Sequence, residues 1–130
     1  MRYIGAISDT DILINFAKVN RLDVLEYLFE EIIIPQYIYD FEIKIKAIII
    51  SDNYTEFKWL DEFITLTHRN ILALCVYFGD IEQSEAEYIF NRINSELSYP
   101  TQDTFEEQYR KAMRRFSKNG WAAYLGTPQQ

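Results

Sequence analysis

Acidic residues recur in this sequence where an apolar segment ends, and carboxylates placed in this way can hold a divalent metal ion. The acids that stand out are Asp9 with Asp11, Asp40 with Glu42, the group Glu82, Glu85 and Glu87, and Asp103. Magnesium and manganese prefer oxygen ligands, and magnesium takes only a few carboxylates while it keeps several waters. Carboxylates that converge from different elements would activate water and neutralise charge during phosphodiester hydrolysis.

The first half of the chain predicts the elements that must position these acids. Tyr3–Ile7 is an apolar run that we expect to form a buried strand, and it ends at Ser8-Asp9, where open α/β sheets place their ligand sites. A short helix is predicted over Ile12–Ala17, and Asn20, with Asp23 three residues later, is expected to begin a second helix. The remaining predicted elements are a strand at Ile32–Ile34, a helix from Pro35 to about Ile50 and a strand at Phe63–Thr67.

The second half predicts three helices. The first covers Ile71–Phe78 and is broken by Gly79-Asp80. The second carries an apolar stripe and ends before Pro100; the stripe comprises Ala86, Ile89, Phe90, Ile93 and Leu97. A polar helix from Asp103 to about Lys118 ends at Asn119-Gly120. Alternating strands and helices with short connections predict a three-layer α/β/α domain with a short central parallel sheet, and a chain of 130 residues fits a single domain over residues 1–130.

Composition narrows the class of protein. Apolar residues make up 48% of the chain, as in a globular protein, and the net charge of −7 argues against a broad basic surface. No apolar run approaches the roughly 18 residues of a membrane helix, so we expect no membrane association and a cytoplasmic protein. Cys75 lies in an apolar run and is expected to pack as a small hydrophobe, whereas His68 is expected at the surface.

Three stretches of the sequence resemble the PIN-domain family over roughly residues 3–105. The segment SDTDILINFAKVNRLDVLEYLFEEIIIPQYIYDFEI is similar to the opening of a PIN domain. The segment FGDIEQSEAEYIF resembles the family's middle Gly-Glu-Ala-Glu-Ala-Ile motif, with Ser84 in place of the glycine, and Pro100 to Phe105 resemble its later Thr-x-Asp pattern. The resemblance implies a PIN-like fold and a Mg²⁺- or Mn²⁺-dependent ribonuclease acting on single-stranded RNA. It also implies a VapC-like toxin whose partner is an antitoxin protein, with homodimer formation left open.

The resemblance assigns metal-binding and catalytic roles residue by residue. Asp9 matches the first metal-binding aspartate, Glu85 the third acid and Asp103 the fourth. The position of the second acid falls on Phe41 in this chain, so either Asp40 or Glu42 supplies it; an insertion of one residue would bring Glu42 into place as the catalytic acid. Thr10, Asp11 and Asn15 are expected to lie around the metal site without binding the ion.

Simpler structural roles compete with several of these assignments. Asp9, Asp11 and Asp103 would also serve as helix N-caps, and Ser84 with Glu87 has the spacing of a capping box. A basic cluster on the last helix would contact RNA phosphates, unless Glu106 and Glu107 pair with it on a solvated face; it comprises Arg110, Lys111, Arg114 and Arg115, followed by Lys118. The aromatic residues Tyr54, Phe57 and Trp59 would stack on bases or pack in a core.

Overall fold

A computed structural model describes residues 3–8, 10–33, 48–52 and 64–120 of the chain. In these ranges the elements are, in chain order, β1 (Tyr3–Ser8), α1 (Thr10–Lys18), α2 (Asp23–Leu28), β2 (Phe29–Ile33), β3 (Ile48–Ile50), β4 (Ile64–Leu66), α3 (His68–Tyr77), α4 (Gln83–Glu96) and α5 (Phe105–Lys118). The chain divides into two compact units, Met1–His68 and Arg69–Gln130. The expectation that residues 1–130 form one domain stays a prediction.

The first unit is built on a parallel sheet. Within the described ranges the strand order is β2-β1-β3-β4, and every neighbouring pair is parallel. Parallel strands need covering on both faces, which explains why β3 and β4 are buried along their whole length. The short parallel sheet and the helices around it confirm the predicted α/β fold class.

Strand β3 corrects one prediction. The helix predicted from Pro35 to about Ile50 is wrong over Ile48–Ile50, which form a strand. Three consecutive β-branched residues restrict χ1 and favour a buried strand over a helix, although their spacing also matches an apolar helical pattern. The rest of that predicted helix lies outside the described residues. The predicted strand at Phe63–Thr67 is confirmed as β4, with narrower bounds.

A left-handed residue separates α1 from α2. Asn20 has a φ of 57°, its N–H donates to the carbonyl of Ala17, and the next N–H, that of Arg21, donates to the carbonyl of Phe16. These two bonds form the Schellman motif that ends α1, in which asparagine tolerates the left-handed conformation. The predicted helix start at Asn20 is therefore wrong, and α2 begins at Asp23.

The second unit contains α3 from Arg69 onward, together with α4 and α5. The predicted stripe of α4 is buried at Ala86, Ile89, Phe90 and Ile93, and this helix ends at Glu96. The rings of Phe90 and Phe105 lie 5.9 Å apart and join α4 to α5. The break at Gly79 is confirmed by its φ of 80°, and Cys75 is fully buried as expected.

The capping box lies at α5 rather than at α4. Thr104 accepts a bond from the backbone N–H of Glu107, whose carboxylate accepts one from the backbone N–H of Thr104. The N-cap of α4 is Glu82, which makes no side-chain cap bond, so the capping box predicted at Ser84 and Glu87 is wrong. In the described part of the chain, no helix is long and apolar enough to cross a membrane.

Candidate functional site

The carboxyl edge of the sheet gathers polar residues from three strands. Ser8 of β1 pairs in register with Ile50 of β3, and Ile50 pairs with Leu66 of β4, so these strands end at one level. Polar residues occupy or follow each of these ends and are buried; they are Ser8, Ser51, Thr67 and His68. Ligands of open α/β sheets bind outside the carboxyl ends of the strands, so this edge is the candidate site.

The carboxylate of Asp52 is held at this edge by three N–H donors. The backbone N–H and the Nδ1 atom of His68 lie 2.8 Å and 2.9 Å from Oδ1 of Asp52. The Nδ2 atom of Asn15 in α1 donates to Oδ2 at 2.5 Å. Both carboxylate oxygens are therefore fixed, one by the start of α3 and the other by α1.

The same contacts keep Asp52 ionised. Burial raises the pKa of its carboxyl group, but the hydrogen bonds and charge of His68 and the amide of Asn15 outweigh burial, and the net pKa lies below the ordinary value of 3.8. The carboxylate is therefore negatively charged at neutral pH, which is the form that binds metal ions.

His68 was expected at the surface, and this prediction is wrong because its side chain is 2% exposed. The polar neighbours of His68 suggested an exposed turn, yet α3 begins directly after the buried strand β4, and the bond to Asp52 offsets the cost of burying the ring. Its Nε2 atom has no hydrogen-bond partner among the described residues.

Asp52 was missed at the sequence level, although a signal for it was present. Ile7-Ser8-Asp9 and Ile50-Ser51-Asp52 repeat the same three residues, each at the end of an apolar run. In the structure the two runs are β1 and β3, which pair directly and in parallel. A repeated strand ending is the pattern that would have identified Asp52.

The structure describes only some of the metal-site residues that are predicted from the first half of the chain. Asp9, Asp40 and Glu42 lie outside the described residues. Thr10 begins α1, and Asp11 is exposed in the first turn of that helix. Of the residues expected around the metal site, Asn15 is brought to the carboxyl edge through its bond to Asp52.

The two acids predicted from the second half lie in the second unit. Glu85 is partly buried in the first turn of α4. Asp103 precedes α5, and its Oδ2 atom accepts hydrogen bonds from Lys111 and, at 2.8 Å, from Gln108. The bond to Lys111 holds the pKa of the Asp103 carboxyl below its ordinary value.

The predicted RNA-contacting residues on α5 differ in their surroundings. Arg110 and Arg114 are exposed, and together with Lys111, Tyr109, Met113 and Glu107 they line a groove of about 620 Å³. Arg115 donates to Oδ1 of Asn70 at 2.7 Å and is partly buried. Of the four residues predicted to contact RNA, Arg110, Arg114 and the Asp103-bound Lys111 are therefore exposed, whereas Arg115 is engaged inside the second unit.

Among the described residues at this edge, the carboxylate of Asp52 is the oxygen donor that suits a divalent cation. An ionised carboxylate offers about four lone-pair sites, and the three N–H donors use three of them, which leaves about one for a ligand. Among the described residues, no group of three or more histidine, cysteine, aspartate or glutamate side chains could hold a metal ion.

The family of the chain follows from a match to a family model. The model of the PIN domain matches residues 5–92, so the chain belongs to the PIN-domain family. The match includes Asp9, Asp52 and Glu85 but ends before Asp103 and α5. PIN domains are generally nucleases and usually use divalent metals. No curated protein and no solved structure matches the chain.

Proposed function

We propose that this protein is a metal-dependent endoribonuclease that hydrolyses single-stranded RNA. The observation that carries the proposal is the buried polar carboxyl edge of the parallel sheet in a PIN-family chain, where strand β1 leads directly into Asp9. Membership of a family of nucleases gives the reaction class, and the oxygen donors at this edge suit magnesium or manganese.

The chain's own acids hold the cation and its basic residues hold the substrate. Asp9, Glu85, Asp103 and either Asp40 or Glu42 are the proposed metal-binding residues. When bound, Mg²⁺ or Mn²⁺ lowers the pKa of a bound water and neutralises charge on the scissile phosphate. No side chain acts as a covalent nucleophile. Arg110 and Arg114, with Lys111 and Arg115, contact RNA phosphates and supply affinity that depends on salt concentration.

The biological setting follows from the same resemblance. A VapC-like ribonuclease would act as the toxin of a toxin–antitoxin pair, and its partner would be an antitoxin protein that suppresses cleavage. Co-expression with the protein encoded by a neighbouring small gene tests this role. Relief of growth inhibition together with a stable complex supports it, and a harmless protein that forms no complex contradicts it.

Cleavage assays with purified protein test the enzymatic proposal. We expect an end-labelled single-stranded RNA to be cut in Mg²⁺ or Mn²⁺ and to stay intact in EDTA, whereas the same sequence in a duplex is cut far more slowly. Cleavage that persists in EDTA would contradict a metal-dependent mechanism, as would the absence of cleavage in either metal.

A second candidate function is a catalytically degenerate PIN domain that binds RNA or protein. The observation that favours it is the engagement of Asp103 by Lys111 and Gln108, together with Phe41 at the position of the second acid. Such a module would shift RNA in electrophoresis equally with and without metal, and it would neither cleave RNA nor bind Mn²⁺ saturably.

A further inference from the structure

Asp52 lies outside the set of acids that the family resemblance assigns, yet three N–H donors hold its carboxylate at the candidate edge. We propose that Asp52 is a metal-binding carboxylate of this protein and that His68 and Asn15 are its positioning residues. The inference deepens the proposed nuclease function and rests on it for the chemical role of the ion.

The first argument is the way in which the carboxylate is held. Donors on both oxygens fix its orientation, and its side chain is 15% exposed, so one side of the group stays accessible. Metal-binding carboxylates are themselves hydrogen-bonded by surrounding residues, which orient them for the ion. Asp52 therefore has the orientation, charge and accessible lone pair that a ligand needs.

The second argument is the repeated strand ending. Asp9 directly follows β1, and Asp52 follows β3 after Ser51, while β1 and β3 are parallel neighbours with Ser8 paired to Ile50. The carboxyl ends of neighbouring parallel strands lie at the same edge of a sheet. The chain thus brings a second Ile-Ser-Asp ending to the strand beside the one that leads into Asp9.

The third argument is the free-energy cost of burying the negative charge of Asp52. A residue that only capped the start of α3 would need one acceptor oxygen, which a neutral asparagine or serine provides. A largely buried carboxylate is costly unless opposite charge compensates it. The partners of Asp52 in the described part of the chain are His68 and Asn15, and neither a lysine nor an arginine is among them. The charge of His68 offsets part of this cost, and a bound divalent cation would offset more of it.

Titration with Mn²⁺, followed by electron paramagnetic resonance without RNA, tests the assignment. We expect Asp52→Asn to weaken Mn²⁺ binding at least tenfold, and His68→Asn and Asn15→Ala to weaken it as well, since loss of residues that orient a ligand costs about 10- to 100-fold in affinity. Asp23→Asn removes an equal charge from an exposed acid of α2 and should leave binding unchanged.

The outcomes separate this inference from the proposed function. If Asp9→Asn abolishes binding while Asp52→Asn binds Mn²⁺ like the wild type, the assignment of Asp52 is overturned and the nuclease proposal stands. If the wild type binds no Mn²⁺ saturably, both fail. Circular dichroism checks folding, and should Asp52→Asn not fold, wild-type affinity in Asn15→Ala overturns the assignment.

Discussion

The Nδ1 atom of His68 lies 2.9 Å from the same Asp52 oxygen that accepts the backbone N–H of His68. One residue thus donates twice to one carboxylate oxygen, and the contact joins the end of β3 to the start of α3. Because His68 is buried, each donor would lose its partner inside the protein if the carboxylate were removed. The contact therefore has consequences for stability as well as for the candidate site.

Removal of the Asp52 carboxylate should destabilise the fold. We expect Asp52→Ala to lower the free energy of unfolding by about 2–3 kcal/mol. The N–H groups of His68 and Asn15 would lose the charged acceptor to which they are hydrogen-bonded. Urea denaturation in EDTA measures the change. Asp23→Ala, which removes an exposed ion pair with Arg21, should cost less than about 1 kcal/mol. Equal losses in the two variants would contradict the structural role of Asp52.

The contribution of Asp52 should disappear in acid. Its pKa in the folded protein lies below the ordinary value of 3.8 that applies to the unfolded chain, so the stabilisation is complete well above 3.8 and is lost as the pH falls through the folded-state pKa. We expect the stability difference between the wild type and Asp52→Asn to be constant near neutrality and to shrink below about pH 4. Urea denaturation across that range, with EDTA present, measures it; a difference that grows in acid would contradict the pKa shift.

The capping box of α5 predicts a contrast between two hydroxyl residues. Thr104→Ala should cost about 1 kcal/mol, because the backbone N–H of Glu107 loses its acceptor. Ser84→Ala, in the first turn of α4, should change stability by less than about 0.5 kcal/mol because Ser84 is exposed and is not the N-cap. Thermal or urea denaturation compares the two variants. A larger loss in Ser84→Ala would restore the capping box predicted there.

The exposed arginines of α5 should control the salt dependence of RNA binding. Each phosphate contact in a single strand adds about 0.7 to the slope of log affinity against log salt concentration. We expect Arg110→Ala and Arg114→Ala each to reduce that slope by about 0.7, whereas Lys18→Ala, which removes an exposed cation from α1, leaves it unchanged. Fluorescence anisotropy with labelled single-stranded RNA over a range of salt concentrations gives the slopes. Equal slopes for the wild type and the three variants would contradict a role of α5 in RNA binding.

Much of the fold was predictable because its signals are local. The apolar run of β1, the stripe of α4 and the glycine after α3 each depend on residues close in sequence, and each was predicted correctly. The errors arose where a distant partner decides the outcome. Ile48–Ile50 match a helical spacing, but pairing with β1 on one side and β4 on the other makes them a strand.

The candidate site was harder to predict for the same reason. His68 looks exposed until Asp52, sixteen residues earlier, supplies an acceptor for its ring. Asn15 was expected near the site, but its partner is 37 residues away and could not be read from local spacing. Asp103 has acidic neighbours in the sequence, yet its carboxylate is bound by Lys111, which lies eight residues later in α5. Pairings of this kind depend on the topology of the chain.

The most direct test of the proposed function is the rate of single-stranded RNA cleavage by Asp9→Asn in saturating Mg²⁺ or Mn²⁺. Asp9 immediately follows β1 and matches the first metal-binding aspartate of the PIN family. We expect the variant to lose at least about 100-fold in cleavage rate, equivalent to roughly 2.7 kcal/mol of transition-state stabilisation, while Asp23→Asn retains wild-type activity. Metal-dependent cleavage by Asp9→Asn at the wild-type rate would contradict a metal site at this edge of the sheet.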